Sequence, residues 1–300
     1  MAKHTLREWY LATRPWSFPV SAMPVVVTTA FLFWYSRSTG AFEVNWVAAV
    51  LALIGIVAFH AAGNLLSDYN DHRTGVDEGV VMLPLVNGSF QPREFVRFGV
   101  LMLLLGIAVG FTLINLTGFD ILWVGLAGAL LTVGYSWLKY HALGDLDIFL
   151  NFGLLPVVGT SLVVAGEICL PALVLALPVG LITVGVLHVN NSRDAVTDKK
   201  AGIKTFAMLI GAKGSVVVYQ LEILLPFVLV ALAVAFGLLP WMSIICFVVF
   251  PRGYKLARRM TSLLTVGSEG IADVDVATSQ QQLFFSLLLS LSLVASALIF

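Results

Sequence analysis

The stretch WVAAVLALIGIVAFHAAGNLLSDYNDHRTGVD, residues 46–77, begins as an almost unbroken apolar run and ends in Asn64, Asp68, Asp71 and Asp77. Its apolar part is long enough to cross the hydrocarbon core of a bilayer as a helix, which takes about twenty residues. Its acidic part falls where such a helix leaves the membrane. The rest of the chain repeats the apolar theme: of 300 residues, 59% are apolar and 11% charged, and the mean hydropathy is +0.96. A soluble domain cannot hide that much apolar surface, so the expected class is an all-α polytopic membrane protein, with residues 1–300 forming one domain.

Apolar stretches of spanning length lie near 17–36, 44–66, 96–116, 119–138, 148–166, 171–190, 215–236, 238–251 and 280–299, which predicts about nine transmembrane helices. The eighth is short and reads as tilted or partly re-entrant. Placing the N-terminus in the cytoplasm puts sixteen of the seventeen Lys and Arg residues on the inner side, and only Arg37 outside. The long loops, near 67–94, 139–147, 191–214 and 252–279, also lie on that inner side, so the working surface is expected to face the cytoplasm. The N-terminal MAKHTLREWYLATRPWSF is basic and amphipathic, with no small-residue cleavage site, and reads as a retained helix on the membrane surface. The 17 basic and 17 acidic residues balance, which gives no argument for a nucleic-acid partner. Cys169 and Cys246 form no metal-binding or redox spacing.

The acidic end of the opening stretch has a counterpart. In HVNNSRDAVTDKKAGIKT, Asn190 and Asp194 follow Asn64 and Asp68 by 126 residues in both cases (190 − 64 and 194 − 68), with Asp198 one turn further on. The offset suggests two four-helix halves with a ninth helix appended. Asn64, Asp68 and Asp71 fall at i, i+4 and i+7, and Asn190, Asp194 and Asp198 at i, i+4 and i+8, so each helix is expected to present a column of oxygens on one face. Clustered carboxylates at a membrane edge repel one another and call for a cation. Mg2+ takes oxygen donors and characteristically bridges carboxylates to substrate phosphates. Two facing acidic columns, ringed by Arg73, Arg193, Lys199, Lys200 and Lys204, would hold a diphosphate through Mg2+ and basic groups. An EF-hand reading of DYNDHRTGVDEG fails in ligand register and in the central Gly.

These residues resemble the UbiA superfamily of intramembrane prenyltransferases, and most closely its 1,4-dihydroxy-2-naphthoate prenyltransferase branch, the menaquinone-pathway enzymes. The resemblance is carried by RPWSFPVSAMPV, NLLSDYNDHRTGVD, LGDLDIFLNFGLLPVVGT and NNSRDAVTDKKAGIKTFAMLIG, in the family's order. It implies about nine transmembrane helices around a central cavity in the cell's inner membrane, with Mg2+, a polyprenyl diphosphate and an aromatic acceptor, here dihydroxynaphthoate, as partners within the lipid bilayer. Carried over by position, Asn64, Asp68, Asp71, Asp194 and Asp198 are the metal and diphosphate set, the four aspartates being the metal ligands. Asp77, Asn190, Asn191 and Arg193 match flanking motif positions, and Asp77 is the candidate for taking a phenolic proton from the acceptor. Ser67, Ile203 and Leu209 depart from the branch's usual residues, as does the short connection YSWLKYHALGD.

Other polar residues have two readings each. Lys139, with Tyr135 one turn before it, is either a diphosphate contact or an inner-face anchor beside an interfacial Tyr. Arg14 reads first as an interfacial anchor and second as a diphosphate contact. His60 and His188 read as buried, hydrogen-bonded packing residues, Asn151 as lining a cavity or bonding a neighbouring helix, and Glu222 as a buried acid whose partner the sequence does not identify. Two rival functions share these residues. One is a prenyltransferase acting on another aromatic such as 4-hydroxybenzoate; the other is a cation-coupled secondary transporter, whose site would lie near the membrane midplane rather than at helix ends.

Overall fold

A computed structural model describes residues 4–74, 84–200 and 202–299, apart from the side chains of Thr74 and Ser136. The described residues are helical or connecting, with no strand among them. Twelve α-helices run in order: α1 Leu6–Ala12, α2 Pro19–Thr39, α3 Trp46–Thr74, α4 Pro92–Thr117, α5 Asp120–Tyr140, α6 Gly144–Ile148, α7 Leu155–Ala165, α8 Ala176–Arg193, α9 Ala195–Lys200, α10 Phe206–Ala235, α11 Phe250–Arg259 and α12 Val274–Ile299. A π-helical turn, Phe149–Leu154, joins α6 to α7, and 3-10 turns, Leu170–Leu175 and Trp241–Val249, lead into α8 and α11. Among the described residues, seven helical stretches are long and apolar enough to cross a membrane, and Asp120–Tyr135 is a shorter apolar one. The protein is a multi-pass membrane protein.

Local sequence explains where the helices begin and end. Thr5 and Glu8 close a capping box at the start of α1, and Gln91 and Glu94 close another ahead of α4, where Pro92 occupies the position whose N–H has no helical partner. Gly40 (φ 68°) and Gly166 (φ 80°) take the left-handed conformation that ends α2 and α7. The apolar surface is turned both ways: Phe31, Tyr219, Phe227 and Phe285 are buried, while Leu104, Trp123 and Leu130 are exposed where lipid would lie. Gly180 lets α8 meet the π-helical turn, since a Cβ there would lie 2.8 Å from the Phe149 ring and 3.1 Å from the Gly153 Cα.

Four differences from the expected layout bear on the site. Helix α3 runs well past the predicted limit at 66, so Asp68 and Asp71 lie inside it and not in a loop. Helix α10 begins at Phe206 instead of 215, bent at Gly211 (φ 69°), whose missing Cβ permits the break. The eighth apolar stretch is a 3-10 turn running into the polar helix α11, so it is not a regular spanning α-helix. Helix α12 is not an appendage: it packs against α2, α8, α11 and the Trp241–Val249 turn, linking both halves. Its buried face carries Ser279, Ser286, Ser290 and Ser296, small residues that allow close helix approach. Ser290 and Ser296 return their hydroxyls to the helix's own carbonyls, at 2.7 and 2.8 Å.

Candidate active site

Both repeated asparagines, Asn64 on α3 and Asn190 on α8, line one cavity of about 920 Å3. Its polar lining includes Arg14, Ser17, Asn64 and Asn190, while much of the wall is apolar, including Val20, Ile56, Ile107, Leu155 and Leu187. The aspartates of the two motifs are not among the residues that line it. Asn64 is oriented from outside its own helix: its Nδ2 donates to the Thr13 carbonyl at 2.9 Å and to Ser17 Oγ at 3.1 Å. His60, one turn earlier, is held between Ser17 (3.2 Å) and Ser21 (2.7 Å), and its ring lies 5.8 Å from that of Phe152. Asn151 takes up both of its expected roles, lining the cavity and donating to Thr132 Oγ at 3.2 Å.

The aspartates are set among cations. Asp68, buried, forms an ion pair with Arg14, which sits in the left-handed region (φ 54°, ψ 56°) just before Pro15. A non-glycine residue held there needs surrounding contacts to keep it, and the Asp68 pair and the cavity wall supply them. Arg14 thus lines the cavity while paired with Asp68. Asp71 accepts from Ser67 Oγ at 3.4 Å, and the exposed Arg73 donates to Asn70 Oδ1 at 3.3 Å. Asp77 lies outside the described residues.

The second motif is mounted differently. The α8 hydrogen-bond ladder carries through Asp194 (2.9 Å to Asn190) to Asp198 (2.8 Å to Asp194), but the backbone bends at Asp194 (φ −91°, ψ 7°). The expected straight column of oxygens is therefore broken, because Asp194 caps α8 and α9 starts anew. Asp198 turns inward and is buried, with one carboxylate oxygen lacking a hydrogen-bond partner among the described residues and the other 3.9 Å from Lys139 Nζ. Burial pushes the Asp198 pKa upward; Lys139 opposes the shift and Asp194 adds to it. Asp194 is half-exposed and is gripped from two sides by Arg193, through Nε at 2.9 Å and NH2 at 3.2 Å. The same guanidinium reaches Asn190 Oδ1 at 3.0 Å and Asp275 of α12 at 2.9 Å. Arg193 is thus saturated by protein groups. Asp275 carried no motif in the sequence; its only local signal is a carboxylate at the start of a helix, where its own Oδ1 accepts from Val276 N–H at 2.8 Å.

The remaining expected site residues are spread over other elements. Tyr135 is half-buried on α5, one turn from Lys139 and within electrostatic reach of Asp198 and Asp145. Lys204 is exposed, and its carbonyl accepts from the Ala142 N–H at 3.0 Å, tying the segment after α9 to the turn before α6. Asn191 points away from the cavity into a buried cluster, with Nδ2 at 3.3 Å from Asp145 Oδ1.

A magnesium ion suits this set of donors. All the aspartates offer hard oxygen ligands, and the buried oxygen of Asp198 has no other partner to satisfy it.

Comparison with known proteins follows the same architecture. The model of the UbiA prenyltransferase family matches residues 22–265. The mouse "UbiA prenyltransferase domain-containing protein 1" is 35% identical over 234 residues, which cover 76% of this chain and 68% of the mouse protein. The Drosophila melanogaster homolog is 30% identical over 270 residues, covering 87% of this chain and 73% of that protein. Among solved structures, the apo form of a UbiA homolog from Aeropyrum pernix K1 is similar at a TM-score of 0.62 and 15% identity, covering 89% of this chain and 96% of the other. A UbiA homolog from Archaeoglobus fulgidus bound to GPP and Mg2+ is similar at 0.56 and 17% identity, covering 94% and 99%.

Proposed function

We propose, from the premise that this chain belongs to the UbiA prenyltransferase family, that it is a Mg2+-dependent enzyme transferring a polyprenyl group from its diphosphate to an aromatic acceptor inside the membrane. The observation that carries this reading is the cavity lined by the asparagine of each motif, Asn64 and Asn190, and by Arg14, which pairs with Asp68, with much of its wall apolar. Asp68, Asp71, Asp194 and Asp198 would hold Mg2+. When bound, the ion neutralises charge developing on the departing diphosphate. Arg14 and Lys139, each already beside one of these aspartates, are placed to add direct cationic contacts to the phosphate oxygens.

The chain's own residues account for the remaining steps. Breaking the allylic C–O bond leaves a carbocation that water would quench, and the apolar wall formed by residues such as Ile107, Val124 and Leu155 excludes water. An electron-rich ring held in the same cavity then attacks the cation. With 1,4-dihydroxy-2-naphthoate, which we favour as acceptor on the strength of the motif resemblance, the attacked carbon loses its carboxylate as CO2. Sixteen of the seventeen basic residues on one side support an inner-membrane orientation with this site facing the cytoplasm.

The test is an assay of the purified protein with Mg2+, a polyprenyl diphosphate and a panel of aromatics. Prenylated, decarboxylated naphthoate is the expected product; prenylation of 4-hydroxybenzoate alone would move the acceptor assignment, and no prenylation of any acceptor would sink the reading.

A further inference from the structure

Behind the cavity, three helices meet at a buried group that the proposed reaction does not use. Asp145 of α6, His188 of α8 and Glu222 of α10 each bring one donor atom to a common point, all within 4.8 Å of one another. His188 Nδ1 lies 2.8 Å from Asp145 Oδ2 and 3.7 Å from Glu222 Oε1. The side chains are 12%, 0% and 7% exposed, in the order Asp145, His188, Glu222. Among the described residues, His188 is the only ion-pair partner of either carboxylate. Glu222 Oε2 is buried with no hydrogen-bond partner.

With both carboxylates ionised, the charge does not balance within the protein: a neutral imidazole leaves two buried negative charges and an imidazolium still leaves one, in surroundings where each uncompensated charge costs several kcal/mol, so the metal-free cluster is neutral only with Glu222 protonated beside an imidazolium. A divalent cation bound to both carboxylates and to neutral imidazole brings the total to zero. Donors around one ion, with metal–ligand bonds of about 2.0–2.2 Å, lie roughly 3–3.5 Å apart, within the spread of the two distances measured from His188. An imidazole among the donors disfavours Mg2+, which prefers oxygen, and favours Zn2+ or a similar transition ion. Asn191, bonded to Asp145 at 3.3 Å, takes the place of the outer-shell group that commonly orients a ligating carboxylate.

We propose that Asp145, His188 and Glu222 form a second metal site, of the zinc class, that fastens α6 and α10 to α8 directly behind the second aspartate motif. Binding would displace the proton shared by His188 and Asp145 to solvent, with the Nδ1 lone pair taking the metal. The proposal does not depend on the diphosphate reading, because none of its three ligands is among the residues assigned to Mg2+ or to the diphosphate.

The test starts from the full-length protein purified in detergent in Mg2+ buffer and measures its zinc by mass spectrometry. It then strips the metal and titrates Zn2+ against a chromophoric chelator, and Co2+ while following its visible d–d bands. About one equivalent of tightly held Zn2+ per chain is expected, with Co2+ bands typical of mixed nitrogen and oxygen ligation. Asp145→Asn and Glu222→Gln should each weaken Zn2+ binding at least tenfold, while Asp68→Asn with Asp194→Asn, which disables the proposed magnesium site, should leave it unchanged. A wild-type chain that neither retains zinc nor takes it up would overturn the proposal and identify the cluster as an imidazolium held between two carboxylates. So would zinc that follows Asp68 and Asp194 in place of Glu222. Because the wild-type titration is itself decisive, a variant that fails to fold does not rescue the idea, and the outcome leaves the prenyl-transfer assay untouched.

Discussion

The ends of α3 and α8 carry the same Asn-x-x-x-Asp spacing but are built on different supports. On α3 the helix runs straight through Asp68 and Asp71, and a cation from a separate segment, Arg14, is brought to the buried Asp68. On α8 the helix breaks at Asp194, whose neighbour Arg193 ties it to Asn190 and to Asp275 of α12, while Asp198 turns inward toward Lys139. The first motif is therefore answered by a cation from the N-terminal segment, and the second by a cation tied to α8 and α12. One repeat in sequence has two different supports.

The largest expected effects test what the halves share. Asp68→Ala or Asp198→Ala should each lower kcat/KM by about a thousandfold or more, since each removes a proposed metal ligand at the point where charge develops. Retained activity in either variant would mean that the two motifs do not act on one ion cluster. Next come the cations, where the halves should part. Arg193→Ala removes a guanidinium shared by three side chains, so thermal denaturation in detergent should show a loss of about 2–3 kcal/mol together with the loss of activity. Arg14→Ala should cost about a hundredfold in kcat/KM with a much smaller shift in melting temperature, because its pair with Asp68 links a short segment and not two core helices. Equal melting shifts in the two variants would erase this difference between the two supports.

A smaller effect concerns pH. The folded protein holds the Asp198 proton more tightly than the unfolded chain does, so this group favours folding at low pH and loses that contribution as pH rises through its raised pKa. Metal binding needs the carboxylate, so Mg2+ affinity should strengthen with pH through a midpoint above the ordinary carboxylate range. Lys139→Met removes the one opposing influence and should move that midpoint higher still. A midpoint that does not respond to Lys139 would exclude their coupling. The smallest expected change is Ser67→Ala, which removes an exposed 3.4 Å contact to Asp71 and should alter kcat/KM by less than about threefold.

Much of the second motif's mounting could not be read along the chain. Arg193 looked like a substrate contact because it is basic and sits between Asn190 and Asp194; that it spends its donors on Asp275 depends on α12 returning 82 residues later to lie against α8. Asn191 looked like its neighbour Asn190, yet one step along a helix turns a side chain by about 100°, and only one of the two faces the cavity. Glu222 had no nameable partner because His188 reaches it from another helix.

What the sequence settled by itself was the class of molecule and the location of its acidic motifs. Apolar length and the 126-residue repeat (190 − 64 and 194 − 68) are properties of the chain read linearly, and the membrane constrains the first directly. Which cation answers which carboxylate, and which polar groups meet in a cavity and which in a buried cluster, was decided by tertiary packing. Those outcomes turn on helix rotation and on approach distances of a few ångströms, set by contacts such as the one between Gly180 and the Phe149 ring, which linear spacing does not encode.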